Sequence, residues 1–288
     1  MATMKEFRNN VKPNWCPGCG DYSVQAAIQR AAANVGLEPE NLVIISGIGC
    51  SGRISGYINC YGMHGVHGRA LPIAQGVKMA NRELTVIAAG GDGDGFAIGM
   101  GHTVHAIRRN MNITYIVMDN SIYGLTKGQT SPRSDTGFVT KSTPAGSIEQ
   151  PISPVELALS VGATFVAQSF SSDLKGLTEL IEKGIKHDGF AFINVFSPCV
   201  TYNKVNTYEW YKENIVQVDS IEGYDPHDRV KAMAYSMQYK GLLNGLIYQD
   251  TEKKSYESLV HGFKEQGLAN QDIRLPEEEF EKLIAEFA

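Results

Sequence analysis

The stretch "LTVIAAGGDGDGFAIGMGHTVHAIRR", Leu84 to Arg109, decides how the rest of the chain reads. An apolar run, Leu84–Gly90, has the length of a buried strand, and "FAIGMGHTVHAIRR", Phe96–Arg109, has a helical pattern. Between them lies a glycine loop. Such a loop offers backbone N–H groups, and the helix that follows favours an anion at its start. The dinucleotide fingerprint G-x-G-x-x-G fits poorly. Counted from Gly91 its third glycine falls on Phe96, and counted from Gly93 on Ile98. Asp92 and Asp94 also set carboxylates where a pyrophosphate would lie, and like charges repel unless a cation stands between them. An Asp in a diphosphate loop makes sense if it holds Mg²⁺, which takes near-octahedral oxygen ligands from one or two carboxylates and phosphate oxygens.

Outward from this loop the same pattern repeats. "LVIIS" (42–46), "ITYIVMD" (113–119), "ATFVAQ" (163–168) and "FAFINVF" (190–196) read as buried strands. Helices are expected over 21–36, 72–80, 154–162 and 171–187, the last with a Ser cap. Strands alternating with helices predict an α/β fold, a mostly parallel sheet with helices on both faces. The polar stretch from about 120 to 153 is too long for a simple connection and reads as functional. After about Tyr202 the chain becomes more charged. Helical pieces are expected near 229–239, 255–265 and 276–287, which predicts a division into residues 1–202 and a C-terminal helical extension, 203–288, that acts as an interaction arm.

Composition narrows the function. The chain has 288 residues, a net charge of −5 and 20% charged residues, so no nucleic-acid footprint is present. The start lacks the apolar core of a signal peptide, and no run of about 18 apolar residues occurs. A cytoplasmic protein without a membrane span is expected. Five cysteines, Cys16, Cys19, Cys50, Cys60 and Cys199, argue against a disulfide framework. "NWCPGCGDYS" (14–23) carries a CxxC pair, a spacing shared by zinc and iron–sulfur sites. Cys50 and Cys199 each follow a strand, and their distances along the chain match neither zinc ribbons nor ferredoxin runs. Four thiols can therefore meet only through the fold.

The strand after the glycine loop ends in Asp119–Asn120, and 26 residues separate Gly93 from Asn120. One helix and one strand fill that gap, so Asp92 and Asn120 meet at the carboxyl edge of the sheet, where such sheets bind ligands. G-D-G, 26 residues, Asn resembles the thiamine-diphosphate-binding motif. The bland reading is a structural glycine turn and an unrelated Asn. The resemblance implies a thiamine-diphosphate-binding (pyrophosphate-type) fold. It implies Mg²⁺ on Asp92, the Asn120 side chain and the Ile122 carbonyl. A cofactor surface is expected from Cys50, Ser51, His67, Gly91, Asp92, Gly93, Asp94, Asn120, Ile122, Gly124, Leu125 and Thr126.

"WCPGCGD", "GIGCSGR", "HGR", "GDGDGF" and "DNSIYGLTKGQ" occur in the order found in the β subunit of 2-oxoacid:ferredoxin oxidoreductases, which the chain resembles from Trp15 to Tyr202. "GIGCSGRISGY" with "YGMHGVHGR" looks most like the 2-oxoglutarate members. The resemblance implies that Cys16, Cys19, Cys50 and Cys199 bind one 4Fe–4S cluster. Cys60 matches no ligand and reads as a small buried hydrophobe. The implied reaction is oxidative decarboxylation of a 2-oxoacid with coenzyme A to acyl-CoA and CO₂. The cofactor acts as electron sink, and the cluster passes electrons to ferredoxin.

Individual residues carry competing readings. Arg53 suits a substrate carboxylate or a surface ion pair. His67 is expected against the cofactor or in a structural role; His64 is a weaker candidate, and His102 and His105 read as helix packing. Lys127 is expected to meet an anion such as substrate or CoA, or to form a solvated basic loop with Arg133. Glu83, Glu149 and Glu156 read as surface residues, so the catalytic Glu is expected from a separate α subunit that brings a pyrimidine-binding domain. Pyruvate or branched-chain 2-oxoacids are the alternative substrates. A non-catalytic, zinc-stabilised nucleotide-binding scaffold is the alternative of another class.

Overall fold

The computed structural model describes residues 2–261, 267–272 and 274–287. Its elements follow in chain order: α1 (Asp21–Asn34), β1 (Leu42–Ser46), β2 (Tyr61–His64), α2 (Ala70–Ala80), β3 (Thr85–Gly91), α3 (Met100–Arg109) and β4 (Ile113–Asp119). Next come β5 (Ile122–Tyr123), β6 (Gln129–Thr130), α4 (Pro154–Val161), β7 (Phe165–Phe170), α5 (Leu174–Lys186) and β8 (Phe190–Phe196). The last are α6 (Tyr208–Asn214), β9 (Val216–Gln217), α7 (Arg229–Gln238), β10 (Leu243–Gln249), α8 (Tyr256–Leu259) and α9 (Glu277–Ala285). Among the described residues no helix is long and apolar enough to cross a membrane.

One sheet runs in the order β2-β1-β3-β4-β8-β7-β10-β9. The first six are parallel, and β10 lies antiparallel to β7. Alternate side chains go to opposite faces. Leu42, Ile44, Ile116 and Ile193 pack toward one layer with α1 and α5. Ile45, Tyr115, Val117, Phe192 and Val166 pack toward the other with α2, α3, α4 and α7. Both faces are covered, which is why β1, β4, β7 and β8 are buried along their whole length.

Several expectations are corrected. The helix of the glycine loop does not begin at Phe96. A π-type turn, Asp94–Ile98, precedes α3, which widens the backbone at a place where such turns accompany sites. The cap of α5 is Asp173, whose side chain accepts from the Gly176 N–H, not a Ser. The long loop after Asn120 contains the β5–β6 hairpin. Residues from 203 on are not simply helical. β9 and β10 extend the sheet, and Val218, Ala232, Leu243 and Ile247 enter its core. In the piece expected over 255–265 only Tyr256–Leu259 is helical, and residues 262–266 lie outside the described residues.

Candidate active site

Parallel strands deliver their following loops to one edge. The turns after β1, β2, β3 and β4 enclose a cavity of about 210 Å³ there, walled by Cys50, Ser51, His67, Asp92, Asn120 and Ile122 among others. The β5–β6 hairpin carries Tyr123, Gly124, Leu125 and Thr126 along its rim.

Asp92 is buried at the floor of this cavity. Its carboxylate accepts from the Ser131 hydroxyl. Burial, and then the neighbouring Asp119 charge, push it up to about 7. A divalent cation would reverse that balance by supplying the missing positive charge. Asp119 is fully buried but paired: Arg133 Nε donates to its Oδ2 at 2.8 Å. Arg133 also donates from Nη1 to the Ile152 carbonyl at 2.6 Å. Arg133 is therefore a half-buried brace of the long loop, not a member of a solvated one. Asn120 closes a local turn, its Oδ1 accepting from the Ile122 N–H at 3.1 Å, and Ser121 takes a φ of 56° to make it. Asp92, Asn120 and Ile122 thus share one wall with an oxygen-rich donor set of the kind Mg²⁺ takes.

Asp94 lines the cavity but spends its Oδ1 on three partners: the N–H groups of Ile48 and Gly68, at 2.9 and 2.8 Å, and His67 Nδ1 at 2.8 Å. It ties three loops together and orients the imidazole, whose other nitrogen stays free of that contact. The arrangement needs Gly47, because a Cβ there would lie 1.9 Å from Asp94 Oδ2.

The thiols gather beside the same cavity. Trp15 is buried, donates from Nε1 to the Cys50 carbonyl at 2.7 Å, and meets Tyr22 and Tyr57 edge to face. That anchors the CxxC turn, closed by Cys19 N–H to Cys16 O, onto the Cys50 loop. From the other side Ser197, just past β8, donates to Asp21 Oδ1 at 2.7 Å. Gly124 sits against two thiols: a Cβ there would be 3.5 Å from Cys199 Sγ and 3.7 Å from Cys50 Sγ. All five cysteines are free. Burial, then the Asp21 charge, push Cys50 up to about 11 and Cys19 upward as well. Thiols so placed stay protonated until a cationic centre draws the protons off. Among the described residues no three His, Cys, Asp or Glu side chains stand close enough to grip one ion. Cys60 is half-buried against the core under α1.

Every residue expected at the cofactor surface lines this cavity, but Arg53 and Lys127 do not. Lys127 is exposed on the hairpin with a φ of 77°. His105 is exposed on α3 and accepts from Arg108 of the same helix. Glu83, Glu149 and Glu156 are absent from the cavity wall. Missed were Ile48, Tyr123, Ser131, Asp119, Arg133 and Asn203. Tyr123 lay in plain sight in "YGLTKGQ"; the others carry no signal without the chain's three-dimensional path.

Fold, glycine loop and strand-end Asn define a thiamine-diphosphate-enzyme domain, and residues 47–195 match the family described as thiamine pyrophosphate enzyme, C-terminal TPP binding domain. Residues 199–265 match a second family, the C-terminal part of the pyruvate ferredoxin oxidoreductase beta subunit. The chain belongs to the β subunits of the 2-oxoacid:ferredoxin oxidoreductases. It is 44% identical over 272 residues to the subunit beta of Saccharolobus solfataricus, covering 90% of this chain and 88% of that one. It is 41% identical to a subunit beta of Aeropyrum pernix, over 88% and 85%. A solved 2-oxoglutarate:ferredoxin oxidoreductase from Magnetococcus marinus, with 2-oxoglutarate, coenzyme A and succinyl-CoA bound, is similar at 37% identity. Its TM-score is 0.88, over 98% of this chain and 96% of that one.

Proposed function

We propose that this chain, with an α subunit, oxidatively decarboxylates 2-oxoglutarate with coenzyme A and reduces ferredoxin. The observation that carries the proposal is a shared wall: Cys50 lines the same cavity as Asp92, Asn120 and Ile122. Asp92, the Asn120 side chain and the Ile122 carbonyl would hold Mg²⁺ and through it a diphosphate. Cys16, Cys19, Cys50 and Cys199 would hold one 4Fe–4S cluster. Thiamine diphosphate, when bound, supplies an electron sink that stabilises the carbanion left as CO₂ departs.

The chain's own residues do the rest. Asp94 fixes His67 at the cavity wall, where its imidazole can exchange a proton with substrate. Leu125 and Thr126 on the hairpin rim limit the access of water. Arg53, half-buried three residues after Cys50, is the carboxylate contact this reading assigns, and exposed Lys127 a second anion contact. Among the described residues no Glu lines the cavity, and on this reading the carboxylate for the pyrimidine comes from the α subunit. The similarity to a 2-oxoglutarate-bound relative supports the choice of acid.

The test is anaerobic co-purification with the α subunit, followed by ferredoxin reduction with CoA and each of 2-oxoglutarate, pyruvate and a branched-chain 2-oxoacid. The expected protein is brown, with four iron atoms per chain, and fastest on 2-oxoglutarate; the isolated chain is inactive. A colourless protein carrying stoichiometric zinc would sink the reading.

A further inference from the structure

One buried amide joins the turn after β4 to the turn after β8. Asn203 is 2% exposed. Its backbone N–H donates to the Cys199 carbonyl at 3.1 Å. Its Nδ2 donates to the Asn120 carbonyl and to Asn206 Oδ1, each at 3.0 Å. Its Oδ1 accepts from the N–H groups of Val205 and Asn206, each at 3.0 Å. Both donors and the acceptor of the amide are used, so the side chain is satisfied in one geometry only. Asn120 in turn shares the cavity wall with Asp92. A hydrogen-bonded line therefore runs from Asn120 through Asn203 to Cys199, with Asp92 beside Asn120 in the cavity wall. Gly124, on the cavity rim, lies beside both thiols: a Cβ there would stand 3.5 Å from Cys199 Sγ and 3.7 Å from Cys50 Sγ.

We propose that Asn203 is a positioning residue that locks the Cys199 turn to the Asn120 turn, so that occupancy of the diphosphate site is felt at the thiol site. The proposal rests on the function proposed above. The physical argument is linkage. If two sites share a rigid bridge, filling one biases the geometry of the other, and the effect is reciprocal in binding free energy. Without the bridge the Asn120 carbonyl loses a buried partner, and the two turns relax separately.

The test uses the heteromer with its α subunit, stripped of thiamine diphosphate and reduced, as wild type, Asn203→Ala and Asn203→Asp. Asn203→Asp keeps oxygen acceptors for Val205 and Asn206 and lacks the donor to Asn120. In the wild type, adding Mg²⁺ and thiamine diphosphate is expected to change the electron paramagnetic resonance line shape of the reduced cluster. Both variants should keep full iron content, lose that change, and bind thiamine diphosphate roughly tenfold more weakly, as one lost buried hydrogen bond predicts. A purely structural role would lower the melting temperature and leave the spectral response intact, which would overturn the proposal. So would a wild type that holds iron and cofactor but shows no cofactor-dependent change. An iron-free wild type would instead overturn the functional reading beneath it.

Discussion

At the scale of single residues, the floor of the site is an electrostatic problem with a local solution. Two buried carboxylates, Asp92 and Asp119, lie near enough for the second to raise the first. The Arg133 guanidinium neutralises Asp119 directly, which leaves Asp92 as the group that faces the cavity. A buried ion pair adds little net stability, but breaking one half leaves an uncompensated charge. Arg133→Met should therefore destabilise the chain by about 3–5 kcal/mol, read as a melting temperature lower by several degrees. Arg133→Met with Asp119→Asn should recover part of that loss. An unchanged melting temperature for the single variant would mean that the pair carries no such role. The same residue shows the limit of sequence reading. "SPRSD" looks like a polar loop, and nothing in it says that the guanidinium turns inward to Asp119 and the Ile152 carbonyl.

At the scale of elements, the strands found by sequence are those with largely apolar runs buried on both faces. The two larger strands that escaped notice break that rule. β2, "YGMH", is exposed along its length. β10, "LNGLIYQ", contains Gly245 at a φ of 131° and shifts register against β7. Helix ends were harder still, because Asp173 caps α5 two residues after the Ser that sequence favoured. At the other end of α5, His187 is buried and hydrogen-bonded through Nε2 to Thr164 Oγ1 at 2.7 Å. Burial lowers its pKa. The folded chain then binds fewer protons than the unfolded one just below the ordinary histidine value, about 6.5. The His187 contribution to stability should fall as pH drops from about 6.5 toward the lowered value, opposite in sign to that of the raised Asp92 carboxyl. His187→Gln should flatten that slope when melting temperature is followed against pH. Equal slopes would place the sensitivity elsewhere.

At the scale of the whole molecule, the sheet crosses the boundary drawn from composition at 202. The later segment supplies β10 against the edge of β7 and sends Val218, Leu243 and Ile247 into the core. Each buried aliphatic side chain is worth about 1.5–3 kcal/mol, against a total margin of about 5–15 kcal/mol. A fragment ending at residue 202 is expected to be aggregated or unfolded by circular dichroism and gel filtration. A soluble, cooperatively melting fragment would restore the two-unit view. The outline of the site was legible because its glycine loop, strand-end Asn and cysteines each obey a local chemical rule. Its bracing was not, since Asp119–Arg133, Ser131–Asp92 and Asn203–Asn120 join residues whose proximity arises only when the sheet is assembled.

The contact between Gly47 and Asp94 reaches beyond this one molecule to the sequences that can replace it. A methyl group at 47 collides with the carboxylate at 94. A shorter side chain at 94 abandons Ile48, Gly68 and His67 together. Neither position can drift while the other stands still. In a library randomised at each site singly, both should return only the parental residue. A path that enlarges residue 47 therefore needs a change at 94 as well, and one that shortens 94 first must forgo the contacts that join the loops around the cavity.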